Sequence, residues 1–423
     1  RCDGRSHVVC MVCDFFHPSI GGVEQHVHAL SLALLRLGHR VVVLTHQYGE
    51  WQGVRVVPGG LKVYYAPLST TILGCVMPTG GLFLLPFLRE VVRREHVTVV
   101  HTHALCTMAM ESTSLASLLG CHVVHTQHSN FEVSGVLARL QAAMERSVFA
   151  HVHGLIAVSR AARDNLCARS GIAITSIRVI PNAVDVSSFV PAPQNIWPKR
   201  LPDGTRCINI VFLARLVRRK GISLLASIIP TVCKLRPDVY FIIGGDGPKR
   251  RELEAMINCH ELHSRVELLG SVPPSEVPAM LTRGQIFLST SLTEAYCIAV
   301  LEAVSCGLLG ISTRVGGVAE IFPPHVLQLA EPEEMALVSS ILKAVEHVQG
   351  DGPRSYHDYV ASRHSWVAVA SATALVYDEI TADASPTCAP RGQIIWKQLV
   401  AGLNGGALAL VVSLLSTVLI AVQ

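Results

Sequence analysis

Short apolar runs that end in glycine turns and lead into helical stretches recur along this 423-residue chain. That alternation restricts the fold more than any other feature. Residues 7–12 (His-Val-Val-Cys-Met-Val) read as a strand. Gly21 and Gly22 open a helix that runs to about Leu37, Gly38 stops it, and 41–44 is the next strand. Strand, glycine loop, helix, strand is the start of a βαβ fold. Apolar runs at 98–101, 122–125 and 154–158 continue the series, with Ser159 placed to cap the next helix. The Pro-rich polar stretch 190–206 interrupts it as a linker. The alternation then restarts: strands at 208–213, 239–243, 266–269, 286–288 and 309–311, and helices from Gly221 to about Leu235, from 314–317, and over 333–348 and 365–380. Pro248 suits the first position of a helix. The length is too great for one ordinary core. The expected fold class is α/β with two Rossmann-like domains, 1–189 and 207–350, facing a cleft. C-terminal helices in 351–385 are able to pack back on the first domain.

Composition removes several functions. Net charge is +4 and no block of Lys or Arg exceeds three, so nucleic acid is not an implied partner. The 13 cysteines are odd in number and scattered, which suits a reducing compartment. Cys10 and Cys13 form a C-x-x-C, but in an apolar strand an offset of three puts them on opposite faces. Among the 20 histidines, His260-Glu-Leu-His263 lacks the H-E-x-x-H spacing, and no other cluster has metal-ligand spacing. There is no D-x-D. The loop Gly244-Gly245-Asp-Gly247 has neither the third glycine of a dinucleotide site nor the Gly-Lys-Ser/Thr of a P-loop. The start at Arg1, without Met, is what a fragment would show, and no signal-peptide pattern is read there.

Half of the residues are hydrophobic and mean hydropathy is +0.42, high for a wholly soluble protein. Residues 399–422 carry no charge. As helix they would span roughly 36 Å, enough for the ~30 Å hydrocarbon core of a bilayer. Arg391 and Lys397 precede them and, by the positive-inside rule, put the rest of the chain in the cytosol. Gly402 and Gly406 form a helix-packing G-x-x-x-G beside Asn404. A buried helix of a soluble fold is the other reading of this run.

The chemistry concentrates in residues 289–307. After the strand at 286–288, a helix is expected from about Cys297 to Gly307, apolar almost all round, with Glu302 its only charge. A buried carboxylate needs hydrogen-bond donors, from the fold or from a ligand. Glu294 lies eight residues earlier, which on continuous helix is roughly 12 Å. Acids so spaced can hold hydroxyls at two ends of a small molecule, while backbone N–H groups of Tyr296, Cys297 and Ile298 face an anion in its middle. That is the outline of a nucleotide sugar. The stretch also fits an ordinary α/β helix with a satisfied Glu302 and a solvated Glu294. Arg215 and Lys220 flank the loop after the strand at 208–213 and could neutralise a diphosphate without a metal; a solvated basic loop is the alternative. His103 and His128 follow strands, where α/β folds place ligand groups, although either alone reads more simply as structural.

Together, Gly-Gly-Val-Glu24, Arg215-x(4)-Lys220-Gly221, and the Glu294-x(7)-Glu302 pair make the chain resemble a retaining glycosyltransferase of the GT-B fold. More narrowly, it is similar to the catalytic-subunit family of phosphatidylinositol N-acetylglucosaminyltransferase (PIG-A type). The similarity rests on Met11–Pro18, Thr45–Gly49, Gly60–Tyr65, Ile180–Asp185, Arg215–Ile222, Ile242–Arg250 and Ser291–Cys297. Gln127, Ser223 and Ala319 depart from the family pattern, which has Asp, Asp and Pro there.

The resemblance implies UDP-N-acetylglucosamine as donor, phosphatidylinositol as acceptor, retention, no metal cofactor, and a multi-subunit complex at the endoplasmic reticulum membrane. It implies that Arg215 and Lys220 bear the charge of the leaving UDP, that Glu302 holds the ribose and that Glu294 positions the sugar. Gly21, Gly22, Gly245 and Gly247 then serve the donor, and Glu24, His103 and His128 the acceptor. A related enzyme with another lipid or soluble acceptor would share the donor motifs. A non-catalytic binding protein of the same fold is disfavoured by the intact Glu294, Glu302, Arg215 and Lys220.

Overall fold

The computed structural model describes residues 5–19, 21–72, 75–77, 79, 81, 83–130, 135–191, 207–350 and 356–382. The chain divides into two compact units, one of Arg1–Pro181 with Trp366–Gln423 and the other of Asn182–Ser365.

The first unit holds, in order, β1 (Val8–Val12), α1 (Gly22–Arg36), β2 (Arg40–His46), β3 (Gly53–Val57), β4 (Leu61–Ala66), β5 (Thr71–Ile72), β6 (Cys75–Val76), α2 (Leu84–Glu95), β7 (Val99–His103), α3 (Thr107–Leu118), β8 (His122–Gln127), α4 (Gly135–Phe149), β9 (Gly154–Ala157), α5 (Arg160–Ser170) and β10 (Ile177–Val179). Its main sheet has the order β10-β9-β8-β7-β1-β2-β4-β3, parallel except for the edge strand β3. Continuous apolar strands such as β1 are what a parallel sheet covered on both faces requires. Residues 9–12 of β1 are wholly buried. The chain order reverses between β1 and β7, so the loops after these strands open at a topological switch point. The buried face of α1, His26, Val27, Leu30, Ser31, Ala33 and Leu34, follows the helical spacing that lets one stripe meet a core. Ser159 caps α5 by accepting the N–H of Ala162 at 3.0 Å.

The second unit holds β11 (Ile208–Leu213), α6 (Ile222–Leu235), β12 (Val239–Gly244), α7 (Arg250–Cys259), β13 (Val266–Gly270), α8 (Val277–Leu281), β14 (Ile286–Ser289), α9 (Ile298–Ser305), β15 (Leu309–Thr313), β16 (Leu327–Ala330), α10 (Glu334–Gly350) and α11 (His357–Arg363). The sheet order is β13-β12-β11-β14-β15-β16, all parallel. This is the doubly wound 3-2-1-4-5-6 order, with its switch point between β11 and β14. Phe212, Phe241, Ile228, Ile229, Leu337 and Ile341 belong to one buried cluster of strand and helix side chains.

The last described helix, α12 (Trp366–Ala382), returns to the first unit and packs on α1. Its Tyr377 hydroxyl meets His101 Nδ1 at 2.7 Å and its Asp378 meets His7 Nε2 at 2.8 Å.

Several local expectations change. The helix expected over 365–380 starts at Trp366, and a separate α11 precedes it. The turn at 314–317 leads into a 3-10 helix, Gly316–Glu320. Pro248 does not open α7, which begins at Arg250; the backbone there is held to the neighbouring loop by Lys249 N–H donating to Leu216 O at 2.9 Å. Cys13 lies just past the end of β1, and both Cys10 and Cys13 are buried free thiols. The stretch 192–206 and the uncharged run 399–422 lie outside the described residues; among the described residues no helix is long and apolar enough to cross a membrane.

Candidate active site

The second unit builds its site on the loops that leave β11 and β14, the two strands at its switch point. After β11 the chain makes a 3-10 turn, Arg218–Lys220, that ends at Gly221 in the left-handed region, φ 68°. Thr290, at the end of β14, donates its hydroxyl to Lys220 O at 2.9 Å, and Leu292 N–H donates to Arg219 O at 2.8 Å. The two loops are thus laced together. A Cβ on Gly221 would sit 1.8 Å from Thr290 O, so only glycine permits this approach.

The lacing brings the Lys220 ammonium onto Glu294 Oε1, which also accepts from the Ser291 hydroxyl at 2.9 Å. Glu294 is not a solvated acid: its side chain is 11% exposed, and its carbonyl accepts Gly317 N–H at 3.1 Å. Arg219, which sequence reasoning did not single out, lies near enough to Arg215 and Glu294 to feel both. The surrounding protein and then Arg215 push its pKa below the usual arginine range, while Glu294 opposes them. A run of three basic residues, Arg218-Arg219-Lys220, was the available signal. Cations thus gather around one carboxylate at the C-terminal ends of parallel strands, where α/β sheets bind ligands.

α9 begins at Ile298, with Cys297 as its N-cap. Tyr296, Cys297 and Ile298 are buried. The Tyr296 hydroxyl meets His364 Nδ1 at 3.3 Å. Burial, and then Glu294, push the Cys297 thiol up to about 12, so it stays protonated and unreactive. Glu302 lies on α9 at 6% exposure, among Leu301, Ala303 and Val304. Gly245 and Gly247 have φ of +126° and +154°, and a Cβ on them would strike Ala214 O at 1.8 Å and Leu216 O at 2.6 Å. Their immediate role is therefore to let the loop after β12 lie against the loop after β11.

In the first unit, the Glu24 carboxylate turns back over Gly21, where a Cβ would meet Glu24 Oε2 at 2.5 Å. The Ser19 hydroxyl donates to Glu24 Oε1 at 2.9 Å. Gly21 thus faces the carboxylate of the helix that it opens. His103 ends β7 and His128 follows β8; His103 Nδ1 and His128 Nε2 are 3.1 Å apart. Burial holds the imidazoles of His101, His103 and His128 well below the usual histidine pKa, and that of His125 at about 4. Gln127 turns away from this pair, donating to Ser129 O at 2.6 Å. The histidines show no metal-ligand spacing in the sequence, yet the fold brings a third one to this pair. His26 of α1 joins His103 and His128, with ligand atoms within 4.8 Å of one another. Three separate elements supply them, so no sequence spacing could reveal the group.

Residues 20–188 match the family model for glycosyltransferase family 4, and residues 194–353 that for glycosyl transferases group 1. Among solved structures, sucrose-phosphate synthase of Thermosynechococcus elongatus aligns with a TM-score of 0.70 at 18% identity, over 89% of this chain and 99% of that one. HepE of Anabaena, solved in complex with UDP, aligns with a TM-score of 0.70 at 18% identity, over 88% and 100%. The fold is that of a GT-B glycosyltransferase, two Rossmann-like domains in one chain. A phosphatidylinositol N-acetylglucosaminyltransferase subunit of Arabidopsis thaliana is 45% identical over 371 residues, 88% of this chain and 81% of the relative. The human protein of the same name is 40% identical over 388 residues, 90% and 78%. The chain belongs to the PIG-A family of phosphatidylinositol N-acetylglucosaminyltransferase subunits.

Proposed function

We propose that this chain transfers N-acetylglucosamine from UDP-N-acetylglucosamine to phosphatidylinositol with retention of configuration, the first step of glycosylphosphatidylinositol-anchor synthesis. The observation that carries this reading is the Lys220–Glu294 pair on the switch-point loops of the second unit, in a chain of this family. As the bond from the anomeric carbon to the diphosphate oxygen breaks, charge grows on UDP. Lys220, Arg215 and Arg219 offset it, so no metal is needed. The acceptor hydroxyl attacks from the leaving-group face and passes its proton to the departing diphosphate, which removes any need for a covalent nucleophile. Glu294 positions the sugar and Glu302 holds the ribose hydroxyls. Gly21 and Gly22 are assigned to the donor phosphates, and Glu24, His103 and His128 to the acceptor. The relatives' designation as subunits supports work within a larger complex.

Membranes carrying the protein, given labelled UDP-N-acetylglucosamine, should label phosphatidylinositol. The labelling should persist in EDTA and resist competition by GDP-mannose. Loss in chelator restored by Mn²⁺, or equal displacement by GDP-mannose, would remove the respective assignment. The two acids should separate kinetically. A ribose held equally in ground and transition states is uniform binding, so Glu302→Gln should raise the donor KM with little change in kcat. Glu294, paired with a cation of the leaving-group site, should show its loss in kcat. If both substitutions alter KM alone, Glu294 is a binding residue.

In this reading the uncharged run 399–422 anchors the chain in the endoplasmic reticulum membrane, with the catalytic part in the cytosol. Deletion of 399–423 should release the protein from carbonate-washed membranes; retention would contradict the anchor.

A further inference from the structure

We propose that His26, His103 and His128 form a binding site for one borderline divalent cation, of which Zn²⁺ is the type, a second role for His103 and His128 beside the acceptor role assigned to them above. Each histidine comes from a different element: α1, the end of β7, and the residue after β8. Their ligand atoms lie within 4.8 Å of one another, and His103 Nδ1 and His128 Nε2 are already 3.1 Å apart. Nitrogens bound tetrahedrally at Zn–N distances of 2.0–2.1 Å stand about 3.4 Å apart. Closing the set therefore takes a shift of no more than ~1.4 Å from that 4.8 Å limit.

The hydrogen bonds fix which lone pairs are offered. The second nitrogen of His103 meets the Met11 thioether at 3.3 Å. A thioether can only accept, so His103 Nε2 carries the proton and Nδ1 accepts from His128 Nε2; a bound cation takes the place of that His128 proton, which moves to His128 Nδ1. The thioether also ends the hydrogen-bond chain, because Met11 has no proton to pass on. A proton relay through His103 stops there, whereas a metal ligand needs only this orientation. Imidazole binds metals in its neutral form. The ring of His101 stacks on His103 at 4.2 Å, and Trp366 meets the His26 ring edge-on at 5.3 Å, which restrains the ligands. His26 and His103 are buried while His128 is half-buried, giving a path in from its side.

Three neutral imidazoles without a carboxylate favour Zn²⁺, Co²⁺, Ni²⁺ or Cu²⁺ over Mg²⁺, Mn²⁺ or Ca²⁺. They fill three tetrahedral positions and leave the fourth to water or a substrate oxygen. The test is titration of the full chain, purified in detergent and stripped with EDTA, with Co²⁺ and then Zn²⁺. One Co²⁺ per chain should give the intense visible absorption of a four-coordinate ion, bleached by one equivalent of Zn²⁺. His26→Gln and His128→Gln should each weaken binding by about 10-fold or more, the loss seen even for outer-shell partners. The exposed pair His260 and His263, changed to Gln together, should leave it unaltered. Circular dichroism checks folding; if buried His26→Gln misfolds, half-buried His128→Gln decides. No stoichiometric binding by the parent chain, or unaltered binding in the His128 variant, overturns the proposal.

Discussion

Lys220→Met should lower kcat by about 10²-fold or more, the scale of one lost transition-state donor, with a smaller change in the donor KM. Lys220 holds its charge at the end of a 3-10 turn fixed by Thr290 and Gly221, so the ammonium is already in position and need not reorganise as charge develops. Without donor it rests on Glu294. Loss of Lys220 leaves a mostly buried carboxylate with the Ser291 hydroxyl and the more distant guanidinium groups of Arg215 and Arg219. Some loss of stability therefore accompanies the loss of rate. Single-turnover rates, with thermal melting on the same samples, separate the two. Because the residues touch, Lys220→Met combined with Glu294→Gln should cost less than the product of the single effects. Full multiplicativity would mean that the pair does not act as a unit, and a kcat within threefold of the parent would confine Lys220 to the fold.

Gly221→Ala is the larger perturbation for stability. The position has φ 68°, and the new methyl would lie 1.8 Å from Thr290 O and 2.8 Å from Thr290 C. Both are backbone atoms continuous with β14, so relief requires moving the strand end or the turn carrying Lys220. A loss of more than about 3 kcal/mol is expected, in the range where a named steric cause is required. Gly171→Ala is the control. Its φ is 72°, but nothing lies within 4 Å of its added Cβ, so it should cost only the left-handed conformational penalty of roughly 1–2 kcal/mol. Denaturant midpoints of the two variants measure the difference. Equal losses would show that the loop can move aside and that the close approach is not a constraint.

Much of the second unit was legible because its signals are local. Short apolar runs located β11, β12, β14 and β15 to within two residues, and the spacing of Glu294 and Glu302 marked the stretch around α9. The partner of Glu294 was not legible: Lys220 lies 74 residues away, and only the lacing of two loops brings them together. Arg215 and Lys220 were read as a pair for the diphosphate, whereas the folded chain adds Arg219 and gives Lys220 to Glu294. Gly245 and Gly247 were read as donor glycines; the carbonyls of Ala214 and Leu216 that crowd them add a steric need for glycine that the sequence did not show. The histidines were hardest to read. His26 looks like an ordinary member of an amphipathic helix, and His103 and His128 each looked structural alone. Their association depends on strand order, which single-sequence periodicity does not encode.

The return of α12 to the first unit bears on how the protein is made. A ribosome delivers the first strands early, yet the sheet they build lacks a covering element until about residue 382 has emerged. Until then His7, His101 and Gly154 are without their α12 neighbours Asp378, Tyr377 and Val376. The second unit is contiguous, Asn182–Ser365, and all its residues are available sooner. Domains usually mature in the order of synthesis; here the amino-terminal one is completed last. A premature stop near residue 365 would therefore spare the Lys220–Glu294 site and strand the half of the protein translated first, leaving its nascent sheet to chaperones.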